Sequence, residues 1–268
     1  MSIVLSAQKR TTPIFEDVQL EKEYQLAMKL ERLADSLLAG HFVLNTDFQR
    51  LAFAFASKSA KTYRGVLRLA EAGLGEPSLI LIRSIFEDLV NLRYINSDPE
   101  SLVELFLDFH ILEKKKYFDY WKEAALDDSQ VQELKKVWES EFESRYEQIL
   151  KNYPKRTYWS GKNLKEMAKS VDIELLRTYC SLYPYVSGFA HGGSPLALAS
   201  YVDQAGEKGM TSLAVPSTEE VSEALVAGFG LLIRCFSVFA DVCGLDKTEL
   251  DSLSGEADKL LDEQGLGL

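Results

Sequence analysis

The sequence predicts an all-α fold, one multi-helix bundle of about eight to ten helices with a long helical hairpin near 100–152. Three observations carry that expectation. Apolar residues recur at helical spacing along almost the whole chain, and no segment of four to eight residues sustains the alternation of a half-buried strand. Capping residues, Gly and Pro also punctuate the helical stretches at regular intervals.

Residues 1–15 read as a polar tail whose apolar Ile3-Val4-Leu5 is too brief for the core of a secretory signal. A first helix is expected from Glu16 to Leu38, with Leu26, Leu30, Leu33 and Leu37 on one stripe and Gly40 closing it. A second starts at a cap among Asn45, Thr46 and Asp47 and runs to Gly73-Leu74-Gly75. Pro77 opens a third, which ends near Ile95 before Asn96-Ser97-Asp98-Pro99. Two long charge-rich helices follow, Ser101 to Ala125 and Ser129 to Asn152. The second places Leu134 and Trp138 inside and Lys135 and Glu139 outside. After a loop over 153–163 come a short helix and a longer one, Ile173 to His191. Residues 204–216 are weakly patterned, a loop or a short hairpin. Ser217-x-x-Glu220 has the spacing of a capping box before an apolar helix that continues through Val242. An acidic helix, Asp246 to Glu263, precedes a tail over 265–268, and with no Pro/Ser/Gly linker residues 16–264 read as one domain.

At 268 residues, 46% apolar and 26% charged, the chain is of ordinary globular composition and long enough to bury a real core. Its 30 basic and 41 acidic side chains leave −11, which disfavours a protein that coats a nucleic-acid backbone or an anionic membrane. Three histidines, three cysteines and no C-x-x-C leave little from which to build a zinc or iron–sulfur site. No Glu-x-x-His, P-loop, G-x-G-x-x-G or G-x-S-x-G occurs, so neither a metal nor another cofactor is expected. The most apolar stretch, Ala224 to Ala240, falls short of the roughly 20 residues of a membrane span and carries Arg234 in its middle, as a core helix would. Cys180, Cys235 and Cys243 lie in apolar helical surroundings and fit a reducing, cytoplasmic setting.

Two polar ladders interrupt the apolar helices. Arg83, Glu87 and Asn91 repeat every four residues and drift only about 40° per step, which makes one stripe on a helix that is otherwise apolar nearly all round. A guanidinium there needs a carboxylate, and Glu87 lies one turn away. Tyr179, Tyr183, Ser187 and His191 repeat in the same way on a later helix, where Pro184 leaves the Cys180 carbonyl without its helical donor. Each ladder reads either as a packing device or as a ligand site. Residues 151–165 reverse the sign of the chain, with five basic and no acidic residues and three aromatics. Trp159 and Lys162 there could hold a small anion or an RNA strand by stacking and charge, or Trp159 could plug a core.

The segment Gly75-Glu-Pro-Ser-Leu-Ile-Leu-Ile-Arg83-Ser84-Ile-Phe-Glu87, with Leu92-Arg-Tyr94-Ile95, Trp159-Ser-Gly-Lys and the Tyr179 to His191 ladder, resembles a bacterial all-helical family known as a domain of unknown function, over roughly 45–240. The resemblance implies that both ladders belong to one constellation. A more remote similarity is to helical HEPN ribonucleases and toxins, but their Arg four to six residues before a His is matched at none of His41, His110 and His191. Three readings follow. In the first, a binding protein uses Arg83 as anion clamp beside Glu87, Asn91, Tyr179, Tyr183, Ser187 and His191. In the second, a metal-independent RNA-cleaving or phosphoryl-transfer enzyme uses His191 as acid or base, Glu87 to orient it and Arg83 to stabilise developing charge. In the third, a helical scaffold forms a homodimer through its acidic or apolar helices.

Overall fold

A computed structural model of the chain describes residues 17–124, 128–152, 158–191, 194–205 and 209–263. The expected tails at 1–15 and 265–268 lie outside them, as do Lys155 and Arg156 of the basic stretch. The fold is all-α. Among the described residues the helices are α1 (Val18–Leu38), α2 (Asp47–Glu71), α3 (Gly75–Ser97), α4 (Pro99–Glu123), α5 (Asp128–Glu141) and α6 (Glu143–Asn152). They continue with α7 (Leu164–Val171), α8 (Ile173–Ala190), α9 (Pro195–Ala199), α10 (Val221–Cys243) and α11 (Thr248–Glu263). Strands β1 (Val202–Ala205) and β2 (Gly209–Ser212) form an antiparallel hairpin with Val202 opposite Ser212 and Ala205 opposite Gly209.

Two differences from the expected elements raise the helix count. The stretch expected as one helix from Ser129 to Asn152 is interrupted at Phe142, between α5 and α6. A short α9 also follows Ser194, whose hydroxyl caps it by accepting from the Ala197 N–H. The hairpin overlaps the weakly patterned 204–216 region but starts two residues before it, at Val202. Caps explain most other boundaries: Thr46 and Gln49 make a reciprocal capping box on α2, and Asn163 and Glu166 make another on α7. The box expected at Ser217 and Glu220 does not form. The Ser217 hydroxyl turns to the Glu219 N–H, and Glu220 itself becomes the residue before α10, in left-handed backbone at φ 59° with no side-chain cap. The reason is close approach: a Cβ at Gly75 would lie 2.1 Å from the Glu219 carbonyl oxygen, so this loop passes directly over the start of α3.

The helices group into two compact units, one of residues 1–92 with 177–268 and the other of 93–176. In the first, α10 packs chiefly on α2 and also on α1, and α11 packs on α1 and α10. Tyr63, Phe86, Phe236 and Phe239 are fully buried there, and a Cβ at Gly228 would meet Ile82 at 2.9 Å and Tyr63 at 3.0 Å. α10 is long and apolar enough to cross a membrane by length and composition, yet twelve of its residues are buried in this core. In the second unit, α4 packs against α5 and α6. Trp138 lies among Phe118, Phe142 and Tyr146, and the expected Lys135–Glu139 pair forms outside at 3.5 Å. Arg145 ties α6 to α4 through Asp108 at 2.7 Å and Glu104 at 2.8 Å.

Candidate functional site: the Arg83–Glu87–Tyr183 cluster

The helical spacing of α3 brings the Arg83 and Glu87 side chains together, with Arg83 Nη2 3.0 Å from Glu87 Oε1. Tyr183 of α8 completes the group. Its hydroxyl accepts from Arg83 Nε at 3.3 Å and Nη2 at 3.2 Å, and donates to Glu87 Oε1 at 2.9 Å. Asn91 donates through Nδ2 to the Glu87 carbonyl at 2.8 Å, so the third residue of the ladder supports the backbone of the second. Tyr179 stacks on Tyr183 with centroids 5.0 Å apart, and Phe86 lies beneath both rings.

This cluster is less buried than an apolar helix implied, for the Arg83 and Glu87 side chains are 28% and 37% exposed. Burial disfavours the Arg83 cation, but the hydrogen bond with Tyr183 and the attraction of Glu87 outweigh it and hold the guanidinium above its ordinary value. Burial also raises the Tyr183 phenol, with Arg83 pulling the other way, so the hydroxyl stays protonated and able to donate. Arg83 Nη1 makes no hydrogen bond among the described residues. One turn beyond Tyr183, the Ser187 hydroxyl is buried and also has no partner among them.

His191 does not join the group. The order of contacts along α8, with Tyr179 at Phe86 and Tyr183 at Arg83, runs α8 antiparallel to α3. His191 lies eight residues past Tyr183, about 12 Å further along at 1.5 Å per residue and in the direction away from Glu87. It is exposed, and its imidazole makes no hydrogen bond or ion pair among the described residues. The pairing of His191 with Glu87 that proton transfer requires is therefore not present.

Trp159 and Lys162 have local roles in the second unit. Trp159 is buried, edge-on to Phe106 at 5.0 Å and to Tyr94 at 5.7 Å, and Lys162 Nζ lies 5.0 Å from the Tyr94 ring centre. The indole fills a core instead of presenting a face for a base. Cys180 likewise departs from its expected apolar setting and is exposed, whereas Cys235 is buried and its thiol is pushed up to about 12. Arg234, midway along α10, donates to the Thr178 hydroxyl at 3.3 Å.

The most buried charge on α3 was not anticipated. Ser84 and Asp88 follow Arg83 and Glu87 by one residue and so point about 100° around the helix, toward α2. Asp88 accepts from Lys58 Nζ at 2.6 and 2.8 Å and from the Ser59 hydroxyl at 3.3 Å, while the same ammonium reaches Ser84 Oγ at 3.1 Å. Burial pushes the Asp88 carboxyl above its usual value against the pull of Lys58. The Ser84–Asp88 spacing was a legible signal, though its partner in α2 was not. Among the described residues no group of three or more His, Cys, Asp or Glu side chains could hold a metal ion.

A family model described as a family of unknown function, DUF5677, matches residues 49–210. The chain belongs to that family. The DUF5677 match contains α3, α8 and every residue of the cluster, and it ends before α10, short of the residue 240 expected from the resemblance. No curated protein and no solved structure matches the chain.

Proposed function

We propose that the chain is a cytoplasmic binding protein that takes a small polar anion, a carboxylate or phosphate, at the Arg83–Glu87–Tyr183 cluster. The observation that supports this most is the partial use of Arg83: its Nε and Nη2 are fixed by Tyr183 and Glu87, while Nη1 keeps its donors. A guanidinium so held is oriented before any ligand arrives, which reduces the ordering cost of binding. Tyr183 and Glu87 set the plane of the guanidinium, and the Nη1 hydrogens are left to donate to a carboxylate or phosphate oxygen. The Ser187 hydroxyl, buried one turn on, supplies a further donor or acceptor. The half-exposed Arg83 and Glu87 side chains place such a ligand at a ledge open to solvent.

Thermal melting in inorganic phosphate, acetate, citrate and a nucleoside monophosphate tests the reading. At least one should raise the midpoint of the wild-type chain and leave that of Arg83→Leu unmoved, with Arg83→Lys recovering only part of the effect because an ammonium cannot be held by Tyr183 and Glu87 and still present an oriented donor beyond them. Equal shifts in wild type and Arg83→Leu, or none with any of the four, would sink it.

A further inference from the structure

The packed side of α4 is accounted for by Phe118 stacked on Trp138, the Lys115–Asp119 pair and the Asp108–Arg145 bond. The opposite side is not. Glu113, Lys116, Tyr117, Tyr120, Trp121, Glu123 and Ala124 are exposed, and the three aromatic residues show 58%, 52% and 47% of their surface. At 100° per residue, Tyr117, Tyr120 and Trp121 occupy a sector about 100° wide, which is the width of an apolar stripe that faces a partner helix. Contiguous exposed aromatics of this kind mark an interaction surface.

The charges on this face indicate what covers it. Lys116 and Glu123 are seven residues apart and so lie on the same edge of the aromatic sector. Neither has an ion-pair partner among the described residues, and Lys116 rests over the Tyr120 ring at 5.6 Å. If a second α4 is laid antiparallel on the first about a two-fold axis near residues 119 and 120, same-edge residues meet. Lys116 of each copy then faces Glu123 of the other, Tyr117 faces Trp121, and Tyr120 meets its symmetry mate. An isologous surface must be complementary to itself in this way. A nucleic acid fits less well, since Glu113 and Glu123 would face its phosphates on a chain of net charge −11.

We propose that the exposed face of α4 is a docking surface for a second copy of this chain, paired antiparallel through Tyr117, Tyr120 and Trp121 and fixed in register by reciprocal Lys116–Glu123 ion pairs. Three turns of paired helix bury less than the about 1,600 Å² of a standard interface, so the dimer is a weak one, in the micromolar range.

Sedimentation of the full-length chain up to about 200 µM tests this together with a charge cycle, the concentration being set by that range. Wild type should dimerise. Lys116→Glu and Glu123→Lys alone should each weaken the dimer roughly tenfold, and the double swap should restore it to near wild type. Tyr120→Ala, on an exposed position that leaves the core intact, should give a monomer with an unchanged helical spectrum. A wild-type chain that stays monomeric throughout, or a dimer indifferent to all four variants, overturns the proposal. A monomer that binds an oligouridylate strand and loses it in Tyr120→Ala also overturns it, in favour of a nucleic-acid platform.

Discussion

Asp88 shows how a single side chain can be costly to disturb from one side and cheap from the other. Its carboxylate is 6% exposed, but the Lys58 stem that reaches it is 55% exposed and returns readily to water. Lys58→Met leaves the buried charge with only Ser59, whereas Asp88→Asn removes the charge and keeps most of the shape. Lys58→Met should therefore cost about 2–4 kcal/mol near neutral pH, below the top of the range for a broken buried pair because one end is solvated, while Asp88→Asn should cost less. Burial raises the folded-state value of Asp88 above its unfolded one, so its contribution favours folding below the ordinary carboxylate range and is lost as pH rises. Removing Lys58 takes away the opposing pull and widens that window. Urea denaturation at pH 5 and pH 7.5 checks this, and a Lys58→Met penalty that shrinks toward pH 7.5 would contradict it. The Arg83–Glu87 pair was legible because both residues lie on one helix at fixed spacing. The burial and partners of Asp88 were not, although its spacing from Ser84 was, because they are set by Lys58, Ser59 and Cys235 on elements distant in sequence.

At the level of elements, helix existence was legible and helix interruption less so. Thr46 with Gln49 and Asn163 with Glu166 are local patterns that the backbone answers locally, whereas Ser217 with Glu220 has the same kind of spacing and is overridden by the loop's passage over Gly75. α8 carries a conflict that does persist, for Pro184 lies well inside Ile173–Ala190 and deprives the Cys180 carbonyl of its donor. A proline inside a helix costs about 3 kcal/mol against alanine, and its place next to Tyr183 suits an element whose shape positions a side chain. Pro184→Ala should raise stability by up to about 3 kcal/mol and give the Cys180 carbonyl its helical donor, which shifts the Tyr183 hydroxyl relative to Arg83. The expected signature is a higher midpoint with weaker anion binding. A stabilised variant that binds as wild type does would show that the proline does not position the cluster.

The whole molecule is organised by a chain that leaves one unit at residue 92 and returns to it at 177, with both crossings inside helices, α3 and α8. Continuity of sequence pattern is why the chain read as a single domain, since a linker rich in Pro, Ser or Gly is absent where helices run through the boundary. The entrance and exit of the second unit are joined by Arg93 and Asp172, with Nη2 2.5 Å from Oδ2, and Asp172 also accepts from the Leu175 N–H in the first turn of α8. One carboxylate thus closes the ends of the unit and caps the helix that leads out. Asp172→Ala removes both functions and should cost about 1–2 kcal/mol, of which the lost cap is the larger share. Hydrogen exchange separates two outcomes. If the unit of residues 93–176 opens on its own, amides of α4 and α7 exchange faster in the variant while those around Tyr63 and Phe236 keep their protection. If both regions lose protection by the same factor, the helices that cross the boundary couple the units into one cooperative fold. The first outcome is the expected one, because α1, α2, α10 and α11 bury their apolar faces on one another and owe nothing to Asp172.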